Sequence, residues 1–329
     1  MDQTALSRAA RTQPLRKLFA VLLLGGCALG AQAQFGPGGP GGPGGPGGAP
    51  TPPGPAAPVP AAVQMARYTD AEVAQARTAL EKLDANTRAL LKKYPGLVTV
   101  NPPPAPMSAN TAIRPSLSGQ FQQKFQANLE VAKAGEANLL FVGDSITDFW
   151  RNETGGMAGK PVLDKYFGQW KIANFGIAGD TTQGVLYRLQ NGEGKGIKPK
   201  AIMMMIGTNN TGRNSAGEIA EGVGAIVMEL QKDFPDARIL LLGIFPRGRP
   251  GDAARATIAD INQTIRKLDD GKKVFYMDIG AGFLDASGAI PTDIMGDALH
   301  PTGKGYEIWA KAVIEPITAM MNGRNPPGR

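Results

Sequence analysis

The feature that most constrains the fold is a series of five short apolar runs, separated by stretches with the spacing of amphipathic helices. The runs cover residues 138–145, 171–180, 201–210, 238–248 and 273–280. Apolar strands that alternate with helices are typical of a parallel sheet whose two faces are both covered. The sequence therefore predicts an α/β fold, a three-layer αβα sandwich around a five-stranded parallel sheet.

The intervening helices carry their own start and stop signals. A capping box, Ser215 followed by Glu218, predicts a helix that runs to about Phe234. The other predicted helices begin at Thr181, span roughly residues 252–269, and follow residue 300 up to Gly323. The methionine triplet at residues 203–205 fits a buried strand and needs no special function.

The domain built from these elements is predicted over residues 111–323, with residues 324–329 as a disordered tail. Residues 34–61 are dominated by Gly and Pro, offer few side chains to a core, and predict a disordered linker. Residues 62–110 contain a helical pattern and then a Pro-rich connection. We interpret them as a short helical segment between linker and domain.

The first 33 residues have the pattern of an export signal. Four basic residues precede the apolar run "LFAVLLLGGCALG", and "AQA" at 31–33 offers small residues for cleavage. The run is too short to favour a transmembrane helix. The expected location is periplasmic or secreted. The sequence "LGGC" at 24–27 leaves an alternative open, a lipoprotein anchored through Cys27.

Residue counts exclude several classes of site. The chain has one cysteine, Cys27, and one histidine, His300. Intramolecular disulfides are thereby excluded, and a zinc site built on His or Cys is disfavoured. Neither a calcium loop, a P-loop nor a dinucleotide fingerprint is present, so no cofactor and no metal are predicted. The body of the chain has no block of Lys or Arg, which argues against nucleic-acid binding.

Polar residues with acyl-transfer chemistry follow the predicted strands. Ser145 ends the first run, Gly179 the second and Asn209 the third, while Asp297 and His300 follow the fifth. Ligands of open α/β sheets bind beyond the carboxyl ends of the strands. A serine hydroxyl needs a base to become a nucleophile, and histidine, with a reference pKa near 6.5, is best suited. Glycine and asparagine can supply oxyanion donors.

Each of these residues also has a purely structural interpretation. Ser145 could cap a helix, Gly179 could serve a turn that requires positive φ, and Asn209 could be a capping residue. His300 could be an ordinary surface histidine. Asp180 is predicted to cap the helix that begins at Thr181, and not to act as the catalytic acid.

Four blocks in order carry a resemblance to a known family. "FVGDSIT", "NFGIAGDTT", "GTNN" and "DALHP" have the order and spacing of the SGNH (GDSL) hydrolases. "IANFGIAGDTTQGVLYRLQNGE", "GIFPRG" and "GYEIWA" resemble the branch that contains the catalytic subunits of platelet-activating-factor acetylhydrolase and their bacterial esterase relatives. The resemblance covers about residues 115–322. It implies a flavodoxin-like arrangement of the three-layer sandwich, the SGNH hydrolase fold.

The resemblance also implies roles, position by position. Ser145 would be the nucleophile, His300 the general base and later the general acid, and Asp297 the carboxylate that holds the imidazole. The oxyanion hole would consist of the backbone N–H groups of Ser145 and Gly179 and the side-chain amide of Asn209. This chain has Pro301 and Thr302 after the histidine, where relatives often have Leu or Ser and Thr. The departure affects the start of the last helix and not the chemistry.

The expected function is an exported serine esterase that hydrolyses short-chain acyl esters, acetyl esters above all. The expected substrate is a small-molecule or carbohydrate acyl ester, with phospholipid acetyl esters as the other precedent. The alternative is a non-catalytic carbohydrate- or partner-binding module on the same fold. A nucleotide-binding domain is disfavoured because no phosphate loop is present. Whether the protein is a homodimer stays open.

Overall fold

Strands and helices alternate along the chain as predicted, in a computed structural model that describes residues 48–67, 70–93 and 109–328. The strands are β1 Leu139–Gly143, β2 Ile172–Asn174, β3 Ala201–Met205, β4 Arg238–Leu242 and β5 Val274–Met277. The helices are α1 Asp70–Glu81, α2 Ala85–Lys93, α3 Gln122–Ala134, α4 Ser145–Asp148, α5 Lys160–Phe167, α6 Thr182–Gln190, α7 Ala216–Asp233, α8 Ala253–Ile265 and α9 Gly303–Met321. Short 3₁₀ turns lie between several of them.

The five strands form one parallel sheet in the order β2-β1-β3-β4-β5. This is the flavodoxin-like order, so the predicted fold class is confirmed. The strand order reverses at β1, which lies between β2 and β3. In such sheets the crevice beyond the carboxyl ends of the strands at this switch point is where ligands bind.

Two apolar cores cover the two faces of the sheet. Residues that alternate along β1 enter different cores, Leu140 and Val142 on one face and Leu139 and Phe141 on the other. The methionine triplet follows the same rule, because Met204 joins the first core and its two neighbours join the second. All three are buried, as predicted for an interior strand. This alternation makes the domain a three-layer sandwich.

The helix starts agree with the sequence signals except at α6. Ser215 and Glu218 form the predicted capping box at the start of α7. In α6 the capping position is occupied by Thr181, one residue later than predicted. Asp180 instead accepts a hydrogen bond from the Thr181 N–H at 2.8 Å and pairs with Arg188. Its carboxylate lies in the interior, where an ionic partner competes with capping.

The predicted linker does not extend to residue 61. The N–H groups of Thr51, Gly54 and Ala57 donate to carbonyl oxygens of Leu117, Pro115 and Ile113 at 2.8–2.9 Å. These three donors are spaced three residues apart between prolines, a spacing that brings them to one side of an extended chain. We call residues 51–65 the strap. Proline has no backbone N–H and so removes some hydrogen-bond donors, but three of the remaining N–H groups bind the strap to residues 113–117.

The strap also enters the core on the α7 side of the sheet. The side chains of Ala57 and Val63 are buried there. The Met65 N–H donates to the carboxylate of Glu221 on α7 at 3.0 Å. The compact unit therefore contains residues 48–65 as well as the chain from residue 109 onward, whereas the predicted domain begins at residue 111.

The C-terminal residues are likewise more ordered than predicted. The Arg324 N–H donates to the Ala319 carbonyl at 2.9 Å, and the Asn325 amide donates to the Gly271 carbonyl at 3.2 Å. Pro326 is buried. Residues 324–326, predicted as part of a disordered tail, thus contact the domain, and the chain after α9 satisfies carbonyl groups at the end of that helix.

A second unit contains α1 and α2, which lie in the predicted helical segment. Asp84 begins α2 by accepting hydrogen bonds from the N–H and the hydroxyl of Thr87. The predicted signal peptide with Cys27, the first part of the linker and most of the Pro-rich connection lie outside the described residues. Within the described part of the chain, no helix combines the length and the hydropathy that a membrane span requires.

One buried carboxyl group lies between β1 and α4. Asp144 caps α4 by accepting from the Ile146 N–H at 3.1 Å, while its second oxygen is buried without a hydrogen-bond partner among the described residues. Burial raises the pKa of Asp144 to about 7; the nearby charge of Asp180 adds to this rise and that of Arg247 opposes it. The native fold thus favours the protonated form of a group that ionises near pH 4 in an unfolded chain.

We predict that Val63→Ala lowers the free energy of unfolding by about 1–3 kcal/mol, because it removes two methyl groups from a packed site. Val63 is 2% exposed, whereas Val131 on α3 is 46% exposed. Val131→Ala is the matched control and should change stability by less than about 0.5 kcal/mol. Urea unfolding of both variants is the measurement. Equal effects of the two substitutions would show that the strap is a free tether.

We predict that Asp144→Asn becomes progressively more stabilising, relative to wild type, as the pH rises from 4 to 8. Between the unfolded and native pKa values the native state binds more protons, so wild-type stability falls as the pH rises through about 7. Asparagine does not titrate. The difference in unfolding free energy should grow by at most about 1.4 kcal/mol per unit of pKa shift. A difference that is constant across this pH range contradicts the assignment.

Candidate active site

The loops after β1, β2 and β3 meet at the carboxyl edge of the sheet. Gly143 at the end of β1 is in register with Met205 at the end of β3. On the other side, the Ile177 N–H donates to the Gly143 carbonyl at 3.3 Å and continues the pairing of β2 with β1. The three loops therefore start side by side, although they are far apart in the sequence.

Ser145 is the first residue of α4, directly after β1 and its capping residue Asp144. The structural interpretation of Ser145 as a helix cap is therefore wrong, since Asp144 does the capping. Only 6% of Ser145 is exposed. The short helix is held from α9, where the Tyr306 hydroxyl donates to the Ile146 carbonyl at 2.8 Å. The serine hydroxyl is thus presented on a braced turn.

His300 connects Ser145 to Asp297. Its Nε2 lies 2.9 Å from the Ser145 Oγ, and its Nδ1 lies 2.6 Å from the Asp297 Oδ2. The other carboxylate oxygen of Asp297 accepts from the backbone N–H groups of His300 and Leu299 at 2.7 and 3.0 Å. One carboxylate thus holds both the imidazole and the turn that carries it.

The electrostatics keep Asp297 ionised. Partial burial raises the pKa of Asp297, but the hydrogen bonds from the backbone and the ring of His300 outweigh it, and the net pKa lies below the usual value. An ionised carboxylate at Nδ1 fixes the proton there, which leaves Nε2 as the acceptor that faces the serine hydroxyl. The arrangement is one in which the imidazole can remove the hydroxyl proton.

Three features around the histidine, two contacts and one backbone conformation, were not anticipated from the sequence. The Phe149 ring lies against the imidazole, with 5.1 Å between ring centroids. Ala298 has φ of 55°, a left-handed conformation that is strained for a residue with a side chain. Its carbonyl accepts from the Gly248 N–H at 2.8 Å, which ties this turn to the loop after β4. A strained residue between Asp297 and His300 could not be found without coordinates.

Gly179 lies at an exposed turn after β2, with φ of 86°. The positive φ explains why glycine is present, as the structural interpretation held, and it is compatible with a role for the N–H group. The turn is anchored by its neighbour Ala178, whose N–H donates to the buried carboxylate of Asp148 at 2.9 Å. The ring of Phe121 lies 3.4 Å from the point where a Cβ of residue 179 would be.

Asn209 lies in the 3₁₀ turn Thr208–Asn210 after β3, and it does not occupy the capping position, which is that of Gly207. Its side-chain amide donates to the Asp180 carbonyl at 2.8 Å. An amide nitrogen carries two hydrogens, so the second remains for another acceptor. The loops after β2 and β3 are joined by this bond. Ser145, Gly179 and Asn209 are therefore all found at the switch point of the sheet.

The site contains the elements of acyl transfer. A hydroxyl, an imidazole and a carboxylate are connected in series, and the neighbouring loops contain the Gly179 N–H and the Asn209 side-chain amide. Within the described ranges, no three side chains of His, Cys, Asp or Glu are placed to share a metal ion.

The sequence matches one family. The model of the GDSL-like Lipase/Acylhydrolase family matches residues 141–308. Platelet-activating factor acetylhydrolase IB subunit alpha2 of Rattus norvegicus is 39% identical over 190 residues, which cover 57% of this chain and 80% of the relative. Subunit alpha1 of the same enzyme from Homo sapiens is 34% identical over 176 residues, which cover 53% of this chain and 73% of the relative.

Two solved structures that match this chain have lower sequence identity. A GDSL-like lipase from Bacteroides thetaiotaomicron superposes with a TM-score of 0.48 at 19% identity, covering 62% of this chain and 98% of that one. Axe2, an acetylxylan esterase from Geobacillus stearothermophilus, superposes with a TM-score of 0.43 at 23% identity, covering 55% of this chain and 94% of that one.

The family match spans half of the chain, and the acetylhydrolase relatives are matched over most of their own length. The chain therefore belongs to the GDSL-like lipase/acylhydrolase family, the SGNH hydrolases, and is a carboxylic ester hydrolase.

Proposed function

We propose that this protein is an exported serine esterase that hydrolyses short-chain acyl esters, acetyl esters above all, through Ser145, His300 and Asp297. The observation that carries the proposal is the hydrogen bond of 2.9 Å between the Ser145 Oγ and the His300 Nε2. These two residues are 155 positions apart, and His300 is the only histidine of the chain. No other imidazole is available to take the serine proton.

The proposed reaction proceeds in two halves. In the first, the Ser145 Oγ attacks the acyl carbon of the ester while the His300 Nε2 takes the hydroxyl proton. The tetrahedral intermediate then expels the alcohol, which receives that proton from the imidazolium, and an acyl-serine remains. In the second half, water attacks the acyl-serine with His300 again as the base. The carboxylic acid leaves and the serine recovers its proton.

Charge is balanced during both halves by groups already in place. Asp297 stabilises the imidazolium that forms on His300, because its pKa lies below the usual value and it stays ionised. The negative charge on the substrate oxygen would be met by the backbone N–H groups of Ser145 and Gly179 and by the free hydrogen of the Asn209 amide. Donors of this kind act on charge that exists only in the transition state.

The acyl half of the substrate is expected to be small. The Phe149 ring flanks His300 and the Phe121 ring flanks Gly179, so aromatic side chains border the place where the acyl group would lie. The names of the two relatives, acetylhydrolases both, support an acetyl group. A site bordered in this way would offer little additional apolar contact to a long acyl chain.

The N-terminal sequence supports a location outside the cytoplasm, and this location guides the choice of the alcohol half of the substrate. Residues 1–33 have the pattern of an export signal, with the lipoprotein anchor at Cys27 as the alternative. Outside the cytoplasm, O-acetylated carbohydrate is a suitable substrate, and phospholipid acetyl esters are the second candidate. Comparing acetate release from acetylated oligosaccharides and from acetylated lipids in vesicles would decide between these two substrates.

Because the chain is an ester hydrolase, the alternative of a purely non-catalytic binding module is set aside.

We predict that Ser145→Ala and His300→Ala each lower kcat for p-nitrophenyl acetate by at least a factor of about 10³, since no second histidine can substitute. Circular dichroism and urea unfolding should show that both variants remain folded. In wild type, a fluorophosphonate probe should label Ser145, identified by peptide mass spectrometry. A folded variant that keeps more than a tenth of wild-type activity would exclude this assignment.

We predict that kcat/KM falls from acetyl to butyryl to octanoyl p-nitrophenyl esters. Phe121→Ala should reduce this preference, because removing the ring opens space beside Gly179. The expected change is a rise of about 3- to 30-fold in the octanoyl-to-acetyl ratio, the range for one to two additional buried methylenes. The exposed Val131→Ala is the control and should leave the ratio unchanged. An unaltered ratio in Phe121→Ala would show that this ring does not border the acyl group.

A further inference from the structure

A buried ionic cluster lies directly behind the loop that carries Gly179. The Arg188 Nε on α6 donates to the Asp180 Oδ2 at 3.0 Å, and its Nη1 donates to both carboxylate oxygens of Glu193. Asn128 on α3 donates to Glu193 at 2.9 Å. The side chains of Asp180, Arg188 and Glu193 are 0% exposed. The proposed catalytic steps use none of them.

This cluster is poorly explained as a stabilising element of the fold. One guanidinium serves two carboxylates, and burial raises the pKa of both Asp180 and Glu193 while Arg188 opposes that rise. The Nη2 of Arg188 is buried without a hydrogen-bond partner among the described residues. Desolvation of buried ions can exceed their mutual attraction, so apolar residues of similar volume often serve stability equally well.

The backbone of Asp180 connects the cluster to two of the proposed oxyanion donors, the Gly179 N–H and the Asn209 amide. Asp180 directly follows Gly179, and its own N–H donates to the Ile177 carbonyl at 3.0 Å, which closes the turn. Its carbonyl accepts the hydrogen bond of 2.8 Å from the Asn209 amide. A rotation of residue 180 would therefore move the Gly179 N–H and release the Asn209 side chain together.

The side chain of Asp180 is held against such a rotation from two directions. One oxygen accepts from the Thr181 N–H at 2.8 Å, and the other is bound by Arg188. The helix makes room for this carboxylate at Gly184, where a Cβ would lie 1.8 Å from the Asp180 Oδ1. The local sequence thus accommodates the buried charge at the expense of helix propensity, since glycine is a poor helix former.

We propose that Asp180, Arg188 and Glu193 are positioning residues for the oxyanion hole. Arg188, fixed by Glu193, holds the Asp180 carboxylate, and Asp180 in turn orients the Gly179 N–H and the Asn209 amide. The inference rests on the proposed function, because it assigns these residues to the same site. None of the three touches the substrate. Their effect is on the placement of donors that act in the transition state.

The test is Asp180→Asn, which retains the size of the side chain and an oxygen for Thr181 but removes the charge that Arg188 binds. With p-nitrophenyl acetate we expect kcat to fall about 10- to 100-fold, less than or comparable to the loss of a whole oxyanion donor. We expect KM to change less than twofold, because the donors act mainly in the transition state. A change confined to KM contradicts the proposal.

A double-mutant cycle separates positioning from general damage. Asn209→Ala removes one of the two donors that Asp180 orients. In that background, the effect of Asp180→Asn should be at least threefold smaller than in wild type, because residues that act as a unit are not additive. Effects on kcat that simply multiply would overturn the proposal.

Glu307→Gln is the matched carboxylate-to-amide control. Glu307 on α9 pairs with Lys165, and its exchange should leave kcat unchanged.

A second variant covers the case in which Asp180→Asn fails to fold. Glu193→Gln touches the loop only through Arg188 and keeps an acceptor for it. It should lower kcat by a smaller factor, about 3- to 10-fold, again without a change in KM, and unchanged kcat would count against the proposal. Failure of the proposed function itself would be recognised separately, because Ser145→Ala would then remain active. An inactive Ser145→Ala with a fully active Asp180→Asn overturns only the positioning role.

Discussion

The parallel pairing of β1 with β2 and β3 is the constraint on which the rest of the structure depends. Parallel strands place their carboxyl ends at one edge, so three loops from distant parts of the sequence begin side by side. This pairing brings the hydroxyl of Ser145, the turn at Gly179 and the amide of Asn209 to the same edge, and the bond from Asn209 to the Asp180 carbonyl then joins two of the loops. His300 reaches the same edge from the start of α9, whose packing also braces α4 through Tyr306.

Buried polar groups and backbone strain occur at or near this edge, while the two apolar cores lie on the faces of the sheet. Among the described residues one carboxylate oxygen of Asp144 has no hydrogen-bond partner, Ala298 has a left-handed conformation, and Arg188 joins two carboxylates in the interior. Features of this kind oppose folding, and they persist where the surrounding structure over-determines them. The two apolar cores supply the stabilising free energy that offsets these features. The two faces of the sheet therefore supply stability, and its carboxyl edge carries the polar groups.

The strap shows how composition can mislead. A stretch rich in Gly and Pro predicts a tether, because it lacks large side chains and many backbone donors. Donors that recur at Thr51, Gly54 and Ala57 nevertheless bind one neighbouring segment, and Val63 completes the contact in the core. Low apolar content sets how much surface a segment can bury, but not whether a partner exists for the few groups it has.

The sequence by itself determined the fold class, the five strands and the residues at their ends, because the apolar periodicity and the turn residues are local signals. It also determined that only His300 could serve as an imidazole base, since it is the single histidine of the chain. Only the tertiary structure decided which polar groups touch. Asp180 illustrates this: a local rule assigns it to a helix cap, but its carboxylate binds Arg188 and its carbonyl binds Asn209, a residue of another loop. The contact of Phe149, the conformation of Ala298 and the strap could not be predicted from the sequence for the same physical reason. Their partners are distant in sequence, and long-range contacts leave no periodic trace in the chain.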